Sequence, residues 1–268
     1  MKKVFSPWTF IGILLGVTIF CAAVVLSTKN YRMFFDYHSF LLVFGGTIAA
    51  TMISYHARYV TKALMSLVTI IFPVHISPKS LVRDVLQIIE WANVSKTQGM
   101  KAFETTVKTG PLKDSFVRYC SEMVLAGYKG SELRQMLSDA IETKFERSMV
   151  QSNILHTMAG FAPAFGMVGT LIGLVITLEK VGGDFSEIGK GMALAFLATL
   201  YGVILAQLVF KPGAEKVQQT MEMIRYRNVL VMEGFLMLTE GKSAFEIQDR
   251  LNSFLDDEFH IDLAKEKL

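Results

Sequence analysis

Four long runs without formal charge dominate the hydrophobic pattern of this chain. No Asp, Glu, Lys or Arg occurs in residues 4–28, 37–57, 148–178 and 191–210. An apolar helix of about 20 residues crosses a hydrocarbon core of roughly 30 Å, so each run is long enough to span a bilayer. The predicted spans cover about residues 8–27, 39–56, 154–178 and 190–210.

The first run resembles a secretory signal peptide, because Lys2 and Lys3 precede it. However, its apolar part from Trp8 to Leu26 exceeds the usual apolar region of about 7–15 residues and lacks a convincing small-residue cleavage site. We therefore interpret it as the first span. The short connection to the second span predicts an antiparallel hairpin.

Small residues recur at helical spacing on the third and fourth runs. They are Gly166, Gly169 and Gly173 on the third, and Ala195, Ala198, Gly202 and Ala206 on the fourth. This small-xxx-small spacing lets helix backbones approach closely inside lipid. The pattern predicts that both helices pack against neighbours.

Neither residues 161–178 nor residues 191–210 contain an ionisable carboxylate or cation, although channels and pumps usually show one inside the membrane, and His156 lies nearer the start of the third run. The polar side chains available there are those of Thr170, Thr177, Thr199, Tyr201 and Gln207. Hydroxyls and carbonyls can line a wet path but cannot carry a proton unaided. If ions pass here, we expect another chain to supply the carboxylate.

The remaining segments have helical rather than strand periodicity. Ser77 and Pro78 begin an amphipathic helix predicted over 78–94, and shorter helices are predicted over 99–107 and 111–126. Ser131 is predicted to cap a fourth, which leads toward the third span. Beyond the fourth span, Pro212 is predicted to kink or end the helix. A long amphipathic helix then covers about 213–240, and Ser243 caps the last one.

One further apolar stretch, from Tyr59 to Val74, is too short to span and contains Pro73. We expect it to lie along the membrane interface or to continue the second helix out of the membrane.

The predicted fold class is an all-α integral membrane protein with four transmembrane helices. A helical cytoplasmic domain is built from the loop between spans 2 and 3 and from the C-terminal tail. The predicted boundaries are 1–58 for the transmembrane hairpin, 59–150 for the cytoplasmic loop, 151–211 for spans 3 and 4, and 212–268 for the C-terminal helices.

Charge and composition refine this prediction. Only 19% of the residues are charged, against roughly 25% in soluble domains, and a net charge of +3 is too small and dispersed for a nucleic-acid-binding protein. Near the membrane ends, ten Lys and Arg lie on the side of the termini and the long loop, and four lie on the other side. The positive-inside rule therefore places both termini in the cytoplasm.

The sequence lacks the patterns of several other classes of protein. Cys21 and Cys120 form no disulfide framework, and no metal-ligand spacing or P-loop occurs. No nucleophile, base and orienting group can be assembled into a catalytic site. The chain is therefore predicted not to be an enzyme and to hold no cofactor.

Three motifs resemble the MotA/PomA stator subunits of the bacterial flagellar motor, within the wider group of TolQ and ExbB. They are APAFGMVGTLIGLV at 162–175, ATLYGVILAQLVFKPGAEK at 198–216 and MEGFLMLTEGKSAFEIQDRLNSFL at 232–255. The resemblance covers nearly the whole chain. It implies a multi-pass protein of the bacterial inner membrane that converts proton or sodium flow into torque. It also implies about five copies around two copies of a single-span MotB/PomB-type partner, whose aspartate carries the ion.

The same resemblance suggests roles for particular residues. Pro163 and Pro212 match prolines that couple ion binding to movement of the cytoplasmic domain, although each could simply kink a helix. Thr170 and Thr199 match hydroxyl positions near the ion path, but membrane threonines often bond back to their own backbone. Tyr201 matches a pore position or packs in the ordinary way.

Contact with the rotor switch protein is implied for Lys96 and Glu104. The family has arginine more often at the first position, and a second basic residue is replaced here by Thr97. Lysine is a point charge without the bidentate fork of arginine, which weakens the match. Both charges could also belong to a solvated helix face.

Alternatives to the stator hypothesis are a TolQ/ExbB-like energiser of another envelope machine and a passive membrane scaffold. The sequence leaves the coupling ion open, because paired threonines favour sodium while a proton path through water could use the same residues.

Overall fold

A computed structural model describes residues 7–69, 76–109, 114–179 and 185–263. The regular elements in these ranges are all helical, which confirms the all-α prediction for this part of the chain. The helices are α1 (Pro7–Ser27), α2 (Tyr37–Ser54), α3 (Ala57–Thr69), α4 (Pro78–Gln98), α5 (Met100–Thr109), α6 (Ser115–Leu125), α7 (Gly130–Glu179), α8 (Phe185–Ile204), α9 (Lys211–Thr239) and α10 (Ala244–Asn252).

Four helical stretches are long and apolar enough to cross a membrane, as predicted. They are Pro7–Ser27, Tyr31–Ser54, Gly130–Glu179 and Ile188–Thr239. The third and fourth, of 50 and 52 residues, are much longer than a bilayer requires. The sequence analysis treated their polar parts as separate helices, but residues 131–159 contain no Gly or Pro that would end α7.

The described chain forms two units by its internal contacts. We call residues 7–69, 148–179 and 185–219 the membrane unit, and residues 76–109, 114–147 and 220–263 the loop–tail unit. α7 and α9 each contribute residues to both.

Close helix packing organises the membrane unit. A Cβ added at Gly173 would lie 2.7 Å from the Cβ of Ala195, and one at Gly169 would collide with the Cβ of Ala198. Only glycine therefore lets α7 approach α8 at these two positions. The close approach confirms the packing expected from the small-residue spacing.

α2 has a defined start and end, and α3 follows it as a separate helix. Asp36 caps α2, because its carboxylate accepts the Ser39 N–H at 2.6 Å. α2 ends at Ser54, and α3 begins at Ala57 as a separate helix that buries Val60 and Ala63. A non-spanning helix is thus present up to Thr69, whereas Pro73 lies outside the described residues.

An aromatic cluster anchors the core of the loop–tail unit. The Trp91 ring packs edge-on against Phe103, with 6.3 Å between centroids, and at a tilt of 51° against Phe235, with 5.8 Å between centroids. These contacts join α4, α5 and α9. The caps predicted at Ser77 and Ser243 are confirmed: the Ser77 hydroxyl accepts the Ser80 N–H, and Ser243 forms a capping box with Glu246. The cap predicted at Ser131 was wrong, because α7 begins at Gly130 and includes Ser131.

A buried ionic cluster connects three helices of the same unit. The Arg227 guanidinium donates to Asp84 at 2.5 Å and to Asp114 at 2.6 Å. Asp114 also accepts the N–H groups of Phe116 and Val117 at the start of α6. Burial opposes ionisation of Asp114, but attraction to Arg227 and these donors outweigh it and lower its pKa.

Candidate functional site

Thr170 on α7 and Thr199 on α8 meet at the crossing of the two helices. Their hydroxyl oxygens are 2.5 Å apart. Thr170 Oγ1 is also 3.2 Å from the carbonyl oxygens of Gly166 and Ala195, and Thr199 Oγ1 is 3.2 Å from that of Gly166. The structure therefore brings the two predicted ion-path threonines together within a group of oxygens.

Other membrane threonines behave differently. Thr47, Thr51 and Thr177 each donate to the carbonyl four residues earlier in their own helix, at 2.6–2.7 Å. This back-bonding satisfies a hydroxyl locally. Thr170 also lies within reach of the carbonyl four residues earlier, at 3.2 Å, but it and Thr199 have additional partners on the opposite helix, which the other three lack among their hydrogen bonds.

The oxygen group has fewer protons than contacts. Two hydroxyls provide one proton each, whereas four short oxygen–oxygen contacts connect Thr170, Thr199, Gly166 and Ala195. The two hydroxyl protons must be shared among these contacts, and lone pairs of the oxygens remain able to accept further bonds. Such a group is suited to solvating a cation or a water molecule, because both present positive charge to several oxygens at once.

Apolar side chains surround the threonine pair on the same helix faces. Met167 and Leu174 lie three residues before and four after Thr170, and Phe196 and Val203 are spaced in the same way around Thr199. All four are exposed, with 61% of Met167 and 64% of Phe196 accessible. Both threonines are partly exposed within this stripe, so a helix seated there would contact them.

Pro163 lies at the same helix crossing, two turns before Thr170. A Cβ added at Gly202 would be 3.1 Å from the Cα of Pro163 and 2.5 Å from the carbonyl oxygen of Ala162. The backbone of α7 at the proline is thus in direct contact with α8. Pro163 lies within α7, which continues through it.

Pro212 does not end its helix, and this part of the prediction was wrong. A π-helical segment, Leu205–Phe210, immediately precedes α9, and the Lys211 N–H donates to the carbonyl of Ala206, five residues back. Proline lacks the N–H that an α-helix would use. The wider turn rearranges the preceding hydrogen bonds, and the chain continues helically to Thr239.

The hydroxyl of Tyr201 points to the connection between α1 and α2. It donates to the Phe34 carbonyl at 2.5 Å and accepts the Asp36 N–H at 2.8 Å. Its ring also packs edge-on against Phe40. These contacts favour the packing interpretation of Tyr201 over direct contact with an ion.

A cavity of about 140 Å³ lies among α2, α7 and α8. Its lining includes the polar side chains of Asp36, His38 and Ser39, together with Gly169 and Gly173. A volume of this size accommodates a few water molecules at about 30 Å³ each. The two glycines place this cavity beside the backbone that carries Thr170.

The predicted rotor-contact residues lie on the surface of the loop–tail unit. Lys96 is exposed in the last turn of α4. Glu104 on α5 forms an exposed ion pair with Lys108 at 2.6 Å, and this pairing lowers the pKa of Glu104. Neither residue is buried in the unit, as a partner-binding charge requires.

The residues that hold these helices in place are not recognisable from the sequence pattern. The role of Arg227 was hidden because its two carboxylate partners are 143 and 113 residues away in the chain. The Tyr201 contacts with Phe34 and Asp36 were equally remote. Within the described residues, no three His, Cys, Asp or Glu side chains are grouped to hold a metal ion.

Comparisons with known proteins agree with this geometry. Residues 108–228 match the MotA/TolQ/ExbB proton channel family. The chain is 28% identical to the uncharacterized protein YtxD of Bacillus subtilis over 256 residues, covering 95% of this chain and 92% of YtxD. It is also 28% identical to the chemotaxis protein PomA of Vibrio alginolyticus over 250 residues, covering 93% of this chain and 95% of PomA.

Two solved structures have the same fold. A chain of the C. jejuni MotAB structure matches with a TM-score of 0.83 and 22% identity, covering 95% of this chain and 98% of that one. A chain of the flagellar MotAB stator complex from Bacillus subtilis matches with a TM-score of 0.82 and 23% identity, covering 96% of both. The chain is thus similar to the MotA/TolQ/ExbB proton channel family over residues 108–228 and shares the fold of the two MotAB chains.

Proposed function

We propose that this chain is the ion-path subunit of a flagellar motor stator, which converts proton or sodium flow into torque on the rotor. The full-length similarity to PomA and to motility proteins supports this choice within the family. The protein would reside in the bacterial inner membrane with both termini in the cytoplasm. Because its task is transport and movement, it would need neither a catalytic centre nor a bound cofactor.

The observation that carries the proposal is the oxygen group of Thr170 and Thr199. It offers hydroxyl and carbonyl oxygens to an ion, but residues 148–178 and 191–210 contain no acidic side chain. A cation in an apolar environment needs a compensating negative charge. A single-span MotB/PomB-type partner with a membrane aspartate would supply it.

The exposed apolar stripe beside the threonines supports the same partner. Met167, Leu174, Phe196 and Val203 form a surface along α7 and α8 on which a second helix can pack. Such a helix would bring its carboxylate to the oxygen group. A ring of about five copies of this chain would surround two copies of the partner.

Electrical energy is sufficient for the proposed work. Each charge that crosses the membrane releases about 2.3 kcal/mol per 100 mV. This amount can bias a packed interface between discrete arrangements. Pro163, at the crossing of α7 and α8, and Pro212, next to the π segment, are the proposed coupling positions.

A TolQ/ExbB-like energiser is the second candidate, since the matched family includes these proteins. It would use the same ion path to drive a different envelope machine. The identity of the single-span partner and binding to a rotor switch protein separate the two candidates.

The deciding experiment expresses the chain with and without a MotB/PomB-type partner in a non-motile host that lacks its own stator. Swimming and ion leak are followed while the sodium gradient and the pH gradient are varied independently. We expect swimming only with the partner, and dependence on one of the two gradients identifies the coupling ion. Appreciable conductance of the chain alone would contradict the proposal, as would restoration of an envelope function without swimming.

A further inference from the structure

α3 has two faces of opposite character. One face is buried against the membrane unit through Val60, Ala63 and Ser66, which are 2%, 0% and 7% exposed. The opposite face carries Arg58, Lys62, Met65 and Val68, all exposed. At 100° per residue these four positions lie within one side of the helix, with the cations at one edge and the apolar side chains at the other.

The position of α3 along the spans follows from its buried contacts. Ala63 belongs to a cluster with Ile154, Met158, Phe210 and Ala214, at the ends of the third and fourth spans. Two residues separate the end of α2, a candidate span, at Ser54 from the start of α3 at Ala57. The helix therefore lies at the boundary between hydrocarbon and water, where lipid headgroups are found.

Within the part of the chain that the structure describes, the cations on this face have no acidic partner. Arg58 stacks on the Tyr59 ring, 5.2 Å from its centroid, and among the described residues neither it nor Lys62 forms an ion pair. Residues 37–83 contain no Asp or Glu at all. A local excess of positive charge without compensation favours a negatively charged ligand.

We infer that α3 binds anionic phospholipid, with Arg58 and Lys62 on the phosphate groups and with Met65 and Val68 among the upper acyl chains. A basic edge beside an apolar edge is the arrangement of helices that lie in the membrane interface. Met65 and Val68 are 67% and 68% exposed, which distinguishes this surface from a purely solvated one. A free phosphate ion would make no favourable contact with these apolar side chains.

The test places a fluorophore on the proposed surface of the full chain assembled with its single-span partner. Met65→Cys in a Cys21→Ala background is labelled with bimane, since Cys120 is fully buried and does not react. The complex is reconstituted in vesicles of phosphatidylcholine and phosphatidylglycerol. Nitroxide-labelled forms of each lipid are compared as quenchers.

We expect phosphatidylglycerol to quench more strongly than phosphatidylcholine, and Arg58→Gln with Lys62→Gln to lower this preference roughly 5- to 25-fold. The Arg58→Lys, Lys62→Arg pair should retain the preference, which separates charge from local disruption. Lys29→Gln with Arg32→Gln is the matched control, because it removes the same charge from exposed residues of the α1–α2 connection. It should leave the preference unchanged.

Three results would overturn the inference. Equal quenching by the two lipids in the parent complex would remove the anionic preference. An equal loss in the Lys29 and Arg32 control would mean that net charge, rather than this surface, sets the preference. Absence of quenching by either lipid would mean that another protein surface, such as a second copy of the chain, covers α3.

Discussion

At the scale of single residues, two threonines of α7, Thr170 and Thr177, differ in the hydrogen bonds that their hydroxyls make. Thr170 and Thr177 lie on the same helix, two turns apart, and both are threonines in an apolar span. The Thr170 hydroxyl hydrogen-bonds to the opposite helix, whereas the Thr177 hydroxyl bonds to Gly173 in its own helix and only packs against Gly191 of α8. This difference gives a mutational comparison with few confounding factors.

Thr170→Val should reduce ion-driven swimming, because valine keeps the shape of threonine but removes an oxygen from the ion path. Loss of one hydrogen-bonding group to a charge corresponds to about a tenfold lower rate. Thr177→Val is the control and should swim nearly as fast as the parent. Swimming speed and ion leak are measured with matched protein levels, and equal loss in both variants would reject the ion-path role.

Arg227 contributes to stability rather than to ion transport, because its charge holds two carboxylates of the loop–tail unit. Arg227→Gln would leave the partly buried carboxylates of Asp84 and Asp114 without their cation, at a cost of about 3 kcal/mol, the low end for a buried pair. Arg225→Gln is the control: it breaks an exposed pair with Glu142, worth about 0–1 kcal/mol. Thermal unfolding of the purified complex should show a large decrease for Arg227→Gln only; similar decreases would contradict the assignment.

At the scale of elements, α7 and α8 can cross this closely because glycines on α7 have no side chain at the contact. Gly173→Ala would place a methyl group 2.7 Å from the Cβ of Ala195, and overpacking of this kind costs about 1–3 kcal/mol. Gly160→Ala, also on α7, meets nothing within 4 Å and should be neutral or slightly stabilising. Thermal stability of the two variants in detergent distinguishes them. A tolerated Gly173→Ala would mean that the helices separate easily.

The π segment before α9 is the other element-scale feature with a measurable consequence. Pro212→Ala supplies the missing N–H, so we expect Leu205–Phe210 to convert toward α-helix and its amide hydrogen exchange to slow about fivefold. The same variant should reduce torque while leaving assembly with the partner intact. Unchanged exchange would show that the proline is not what maintains the wide turn.

At the scale of the whole molecule, the proposed rotor contact uses an exposed charge, Lys96, that the fold itself does not need. Lys96→Glu should lower torque several-fold, roughly fivefold for each 1 kcal/mol of lost attraction, without changing ion leak. Lys129→Glu reverses another exposed charge of the loop–tail unit and should have little effect. Bead-rotation assays measure torque directly, and equal losses in both variants would point to net charge instead of a specific contact.

The sequence predicted features of the whole molecule that depend on local pattern. Runs without charge gave four candidate spans, small-residue spacing gave the approach of α7 to α8, and Ser77 and Ser243 marked two helix starts. Features that depend on distant contacts were not predictable. Arg227 looks like any surface arginine until Asp84 and Asp114 are placed beside it, and the Tyr201 hydroxyl finds its partners 165 and 167 residues away.

The extra residue held in the π turn also sets a rotational phase. Each residue added to or removed from a helix turns everything beyond it by about 100°. Gly202 faces α7 before this turn, and Ala214 and Val217 are buried after it. A single-residue deletion between Leu205 and Phe210 would let the π turn close to an ordinary α turn and would leave both faces in register. An α-helical turn that keeps all six residues would instead rotate Ala214 and Val217 by about 100° away from their core.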